Sequence, residues 1–243
     1  MNLDALVFAA HPDDAELAMG GTIAKLVNNK LSVGVIDLTR GELGTRGTIK
    51  TRKEEAKNAS KILGVKIREN LQFPDGNIFV DDKFTSKVIS AIRKYKPKII
   101  FAPYFNDRHP DHVETSKIVK RALFNSGLPK VKTKVSGKLQ QAFRPNKLFY
   151  YMQTYEFNPS FVIDISETFQ SKMKSVLAYK TQFHVEGVKL KDPSTFISNP
   201  EFIKYLEARA KTFGFKIGKT YGEPFFCEEL IELDLINLLT DNK

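Results

Sequence analysis

The chain alternates short apolar runs with segments of helical periodicity, and this alternation narrows the available folds more than any other feature. Residues 3–10, 33–38 and 98–102 are short apolar runs of the kind buried in a sheet, and each is followed by a polar loop and a stretch with apolar residues at helical spacing. Helices are predicted over 13–27, over 51–63 ending at Gly64, over 83–95 before Pro97, and over 112–124. Strand-then-helix repetition predicts an α/β fold: a Rossmann-like, mainly parallel sheet with helices on both faces. Further strands are expected near 148–152, 161–165 and 225–233, and helices near 169–180 and 200–213. The lysine-rich segment 129–145 reads as a flexible insertion.

The length of 243 residues suits one sizeable domain, and the whole chain, 1–243, is read as one. With 42% hydrophobic and 27% charged residues the composition is that of a globular protein, which argues against disorder. No apolar stretch is long enough for a membrane span, and the N-terminus has no export signal. The single cysteine, Cys227, forms no internal disulfide, so a reducing, cytoplasmic setting is expected. A net charge of +10 invites a nucleic-acid reading, but the lysines are scattered and lack interleaved aromatics. A solvated basic surface without nucleic acid or membrane as partner is the expectation.

Two of the loops carry nearly the same tetrapeptide. His11-Pro12-Asp13-Asp14 follows the first run and His109-Pro110-Asp111-His112 follows the run ending at Ala102. In an open α/β sheet, ligands bind beyond the carboxyl ends of the strands, so both loops can face one crevice. Proline fits the first turn of a helix, where its missing N–H would have been unpaired anyway. Three of the four histidines fall inside these tetrapeptides. Residues three apart project to one side of a helical turn, and zinc accepts imidazole nitrogen and carboxylate oxygen. Spacing admits several three-ligand sets among His11, Asp13, Asp14, His109, Asp111 and His112 and selects none of them. Taken singly, either tetrapeptide could be a plain helix cap, for which Asp is well suited. The concentration of histidine in both favours a metal site.

The segment Ala10-His11-Pro12-Asp13-Asp14-Ala15-Glu16 resembles the signature of the LmbE/PIG-L family of zinc-dependent N-acetylglucosaminyl deacetylases, and His109-Pro110-Asp111-His112 matches its second motif. Within that family, segments 37–48 and 52–56 together with Asn106-Asp107-Arg108 are similar to the branch that deacetylates N-acetylglucosaminyl-malate in bacillithiol biosynthesis. Sister branches act on inositol-linked compounds or chitooligosaccharides and share the metal motifs.

The resemblance implies Zn²⁺ held by His11, Asp14 and His112, with Asp13 as general base. It implies His109 as a second catalytic group oriented by Asp111, and Arg52 and Arg108 near the anionic or hydroxyl groups of the substrate. A carboxylate beside His109 would favour its imidazolium form. Glu16 is read as a first-turn helix cap and His184 as a surface residue. Some bacillithiol-type relatives carry a tyrosine over the site; Phe202 aligns there, with Tyr221 as an alternative source of a hydroxyl. The expected partner is a small amino-sugar conjugate, and the resemblance implies a homo-oligomer, often a hexamer. A rival reading is a basic, non-catalytic nucleic-acid-binding protein. Another is a metallophosphoesterase, which usually needs more acidic ligands.

Overall fold

A computed structural model describes residues 1–188 and 191–232. The first unit is β1 (Ala5–Ala9), α1 (Asp14–Asn28), β2 (Val33–Thr39), α2 (Ile49–Leu63) and β3 (Ile67–Phe73). After α3 (Asp82–Tyr95), β4 (Ile99–Pro103) and α4 (Pro110–Ser126) comes a small antiparallel pair, β5 (Lys134–Val135) with β6 (Lys138–Leu139). The chain then runs through β7 (Lys147–Tyr151), β8 (Phe161–Asp164), α5 (Phe169–Leu177), α6 (Pro200–Phe215) and β9 (Gly222–Phe226).

Seven strands form one sheet in the order β3-β2-β1-β4-β7-β9-β8. The first five run parallel, while β9 pairs antiparallel to both β7 and β8. Successive strand residues face opposite sides of a sheet. Leu6 and Phe8 pack with Val88, Ile92, Ile118 and Val119 of α3 and α4, whereas Ala5, Val7 and Ala9 pack with Ala15, Ala18 and Ile23 of α1. Both faces are covered, which is why β1 and β4, and β2 up to Asp37, read as apolar runs.

The order of the strands locates the crevice. From β1 the chain moves outward to β2 and β3, then crosses back so that β4 lies on the other side of β1. The loops leaving β1 and β4 diverge at this switch, and they are the two histidine loops. Among the described residues no helix is long and apolar enough to cross a membrane.

Three expectations change. β3, Ile-Arg-Glu-Asn-Leu-Gln-Phe, is a strand that the sequence pattern does not announce, because at the sheet edge it is only partly buried and lacks an apolar run. The strand expected over 225–233 is instead Gly222–Phe226, with no strand over 227–232; Leu233 lies outside the described residues. The segment 129–145 is not a free insertion. The buried Arg93 donates to the carbonyls of Ser126, Leu128 and Val131 and to Thr133 Oγ1, which anchors its start to α3.

Candidate active site

The strand β1 delivers the chain into a turn at Asp13, whose φ of 117° is a left-handed conformation that a residue with a Cβ seldom adopts. Such strain persists only where surrounding contacts enforce it. Here the neighbours are hydrogen bonded on both sides. His11 N–H donates to Asp14 Oδ2 at 2.8 Å, and Arg52 donates to Pro12 O at 2.6 Å and to Asp13 Oδ2 at 3.0 Å. The turn thereby places Asp13 and Asp14, both buried, at the floor of a cavity of about 690 Å³ that His11, His109, His112 and Arg52 also line.

Asp14 joins the two loops. One oxygen lies 3.4 Å from His11 Nδ1 and the other 3.2 Å from His112 Nε2. The opposite nitrogen of His112 contacts Asp107 Oδ1 at 2.8 Å, so that Asp107 fixes the ring and leaves Nε2 for a ligand. Asp107 is itself held by the backbone N–H groups of His109, Thr154 and Tyr155. Burial would raise its pKa, but the His112 ring and these N–H groups keep the carboxyl below its usual range. His112 is pushed the other way, up to about 9: its burial opposes the charge, and the Asp14 and Asp107 carboxylates outweigh it.

Asp75, which follows β3, completes the group. His11 Nε2 lies 3.1 Å from Asp75 Oδ1 and 3.3 Å from Asp111 Oδ2. Among the described residues, ligand atoms of His11, His109 and His112 lie within 4.8 Å of one another, as do those of His11, Asp75 and Asp111. Imidazoles and carboxylates converging from separate loops onto one buried point form a donor set of the kind that holds a divalent cation.

Asp13 has Arg52 as its ion-pair partner. Burial pushes its carboxyl up to about 7 against the Arg52 charge, which pulls it down. The Arg52 guanidinium also donates to Gly41 O at 3.2 Å. A Cβ on Gly41, whose φ is +66°, would fall 2.0 Å from Arg52 Nη1, so this arginine requires a glycine at that point.

Several expected roles are corrected. Arg52 lines the cavity, and its contacts are with the Asp13 carboxylate and the carbonyls of Pro12 and Gly41. The Asp111 carboxylate does not orient His109: it accepts from Gly76 N–H at 2.8 Å and faces His11. The Asp111 backbone N–H instead donates to His109 Nδ1 at 3.2 Å. That bond requires a lone pair on Nδ1, which leaves the proton of the neutral ring on Nε2. Burial, with the neighbouring His11 and His112 rings, lowers the His109 pKa, contrary to the expected imidazolium. Glu16 does not cap its helix; it pairs with Arg68, which also grips Asp37 through two bonds of 2.8 Å.

Arg108 does border the cavity, with its guanidinium 4.8 Å from the Phe196 ring centroid and no acidic partner among the described residues. His184 is exposed, as expected. Phe202 lines the cavity, whereas Tyr221 stacks on Phe169 at 3.8 Å and donates to Glu207. The tyrosine at the cavity is Tyr205 on α6. Sequence reasoning missed Asp75, Asp107, Tyr205 and Arg209. A readable signal existed only for the first two: Pro74-Asp75-Gly76 is a turn after a strand, and Asp107 lies two residues before His109.

The mainly parallel sheet with helices on both faces matches the structures of LmbE-like deacetylases, and the chain belongs to the PIG-L/LmbE family. The family model described as GlcNAc-PI de-N-acetylase (PIG-L) matches residues 6–123, the part that carries both loops. The chain is 31% identical over 195 residues to a probable N-acetyl-alpha-D-glucosaminyl L-malate deacetylase 2 of Bacillus cereus, covering 75% of this chain and 84% of the relative. It is 28% identical over 230 residues to the diacetylchitobiose deacetylase of Thermococcus kodakarensis, covering 90% and 80%. Among solved structures, the conserved protein TT1542 of Thermus thermophilus superposes with a TM-score of 0.85 at 36% identity, over 96% of this chain and 97% of that one.

Proposed function

We propose that this deacetylase removes the acetyl group from an N-acetylglucosaminyl conjugate with an anionic aglycone, N-acetylglucosaminyl-malate being the leading candidate, using zinc held by His11, Asp14 and His112. The observation that carries the metal reading is Asp14, whose two oxygens face one histidine from each loop at 3.2 and 3.4 Å. Two imidazoles and a carboxylate are the ligands of a catalytic zinc that keeps an open position. Bound there, the metal supplies a polarised acetyl carbonyl and an acidified water.

The chain's own residues do the remaining work. Asp13, on the cavity side of the turn, takes a proton from the attacking water and passes it to the departing amine nitrogen as the C–N bond breaks. Acetate and a free amino sugar result. Arg52 keeps the Asp13 carboxylate aimed at the cavity. His109 donates its Nε2–H to the oxygen that gains negative charge as the carbonyl is attacked. A neutral donor suffices, because the Asp111 backbone N–H fixes the tautomer.

Arg108 favours an anionic aglycone: it stands at the cavity without an acidic partner among the described residues. A second reading, a disaccharide such as diacetylchitobiose, is favoured by Phe196, Phe202 and Tyr205, which offer aromatic faces to a second sugar ring. Acetate release from N-acetylglucosaminyl-malate, diacetylchitobiose and free N-acetylglucosamine, each with Arg108 intact and as Arg108→Ala, separates the two. A selective loss on the malate conjugate is expected. Equal rates on all three, unaffected by Arg108→Ala, would refute the anionic aglycone.

A further inference from the structure

Helix α1 is broken in the middle. Met19 has φ −139° and ψ 25°, so Asp14–Ala18 forms one short segment and the chain from Gly20 to Asn28 another. A break leaves carbonyls unpaired at the end of the first segment and N–H groups unpaired at the start of the second. In a buried helix each such group needs a partner.

Buried charged side chains from the C-terminal third supply them. Arg209 of α6 donates to Leu17 O at 3.3 Å and Lys172 of α5 to Ala18 O at 3.3 Å. Glu223 of β9 accepts from Gly21 N–H at 3.1 Å and from Thr22 N–H at 2.7 Å. Thr168 Oγ1 donates to Gly21 O at 2.8 Å. Lys172 and Glu223 also pair with each other, at 2.5 Å, with 3% and 2% of their side chains exposed. A Cβ on Gly21 would lie 2.7 Å from Ile165, so the joint is packed against the strand-to-helix turn before α5 as well as hydrogen bonded to it. Arg209 reaches further: it binds Gln153 O, beside the Thr154 N–H that holds Asp107, and it borders the substrate cavity.

We infer that Glu223, Lys172 and Arg209 are positioning residues for the reaction: by clamping the break in α1 they set the orientation of the short segment 14–18, and with it Asp13 and Asp14. The inference rests on the reading of Asp13 as base and Asp14 as ligand. A continuous α1 would need none of these charges. The break lets the first segment tilt independently of the second, and the clamp chooses one tilt.

The test uses the double substitution Lys172→Met/Glu223→Ala, which removes both buried charges together and so strands neither. The thermal midpoint should fall, because the Gly21 and Thr22 N–H groups and Ala18 O lose their partners, so turnover is read on folded protein well below that midpoint. Turnover per bound metal should fall about 10²-fold, the cost of a misplaced reactive group, with KM within about threefold. The visible absorption of the cobalt-substituted protein should also shift, because Asp14 has moved. Turnover per metal and a cobalt spectrum both unchanged would overturn the inference. Should the double variant not fold, Arg209→Lys keeps the charge and loses the two-pronged reach to Leu17 O and Gln153 O; turnover per metal and a cobalt spectrum both unchanged in that variant overturn it equally. Asp13→Asn runs alongside. If that variant stays active, the reading of the base has failed rather than the clamp.

Discussion

Arg52 Nη2 lies 3.0 Å from Asp13 Oδ2 with both side chains almost fully buried, which joins the start of α2 to the strained turn at the head of α1. On the proposed mechanism, an arginine committed in this way acts through Asp13 rather than on the aglycone. Arg52→Ala is therefore expected to lower kcat by about 10²-fold, the lower range for loss of an acid–base group, on N-acetylglucosaminyl-malate and on free N-acetylglucosamine alike. A loss confined to the malate conjugate would return Arg52 to the substrate.

Asp107 backs His112 at 2.8 Å from the side away from Asp14. Removing such an outer partner typically weakens metal binding about 10–100-fold. Asp107→Ala should show that loss in competition with a fluorescent chelator, while Asp13→Asn retains metal and loses turnover. Unchanged affinity in Asp107→Ala would exclude His112 as a ligand oriented from behind.

The neutral, Nε2-protonated His109 makes a different prediction from an imidazolium held by Asp111. His109→Ala should reduce kcat on the order of 10²–10³-fold, the usual cost of an oxyanion donor, with little change in KM. Asp111→Asn, which keeps the backbone N–H, should leave the His109 tautomer as it is. Nitrogen-15 shifts of the His109 ring in that variant check this directly, and a change of tautomer would restore the expected Asp111–His109 contact.

The start of β1 carries a pH-dependent tie. Lys98, bonded to Asp4 Oδ1, and then Ser32 lower the Asp4 pKa to about 2. A depressed carboxyl contributes stability that is complete above its unfolded pKa near 3.8 and is lost as the pH falls through about 2. Because Lys98 is largely exposed and Asp4 only half-buried, screening holds the contribution to about 1 kcal/mol. Asp4→Asn should lower the thermal midpoint at neutral pH, with the difference shrinking between about pH 4 and pH 2. A difference that persists at the acid end of that range would assign it to packing.

Much of this protein is legible in its sequence because its central strands are buried on both faces. β1 and β4 are apolar throughout, and β2 apart from Asp37 and Thr39, so their runs, and the histidine loops that follow β1 and β4, stand out without any structure. The resemblance to the family's paired tetrapeptides then points to His11, Asp14 and His112 as the proposed ligands among six candidates that spacing alone leaves equal. The edge strand β3 has no such signature, and Asp75 was missed with it. Partners distant in the chain are invisible for a further reason: hydrogen bonds such as Arg52 to Asp13, Glu223 to Thr22 and Arg209 to Leu17 join residues 39, 201 and 192 positions apart, and no local periodicity records them. The sequence by itself determined the central strands, the two loops and the histidine and aspartate side chains they carry. Only the tertiary structure decided which carboxylate meets which ring, because that depends on the strand order that folds distant segments against the switch point.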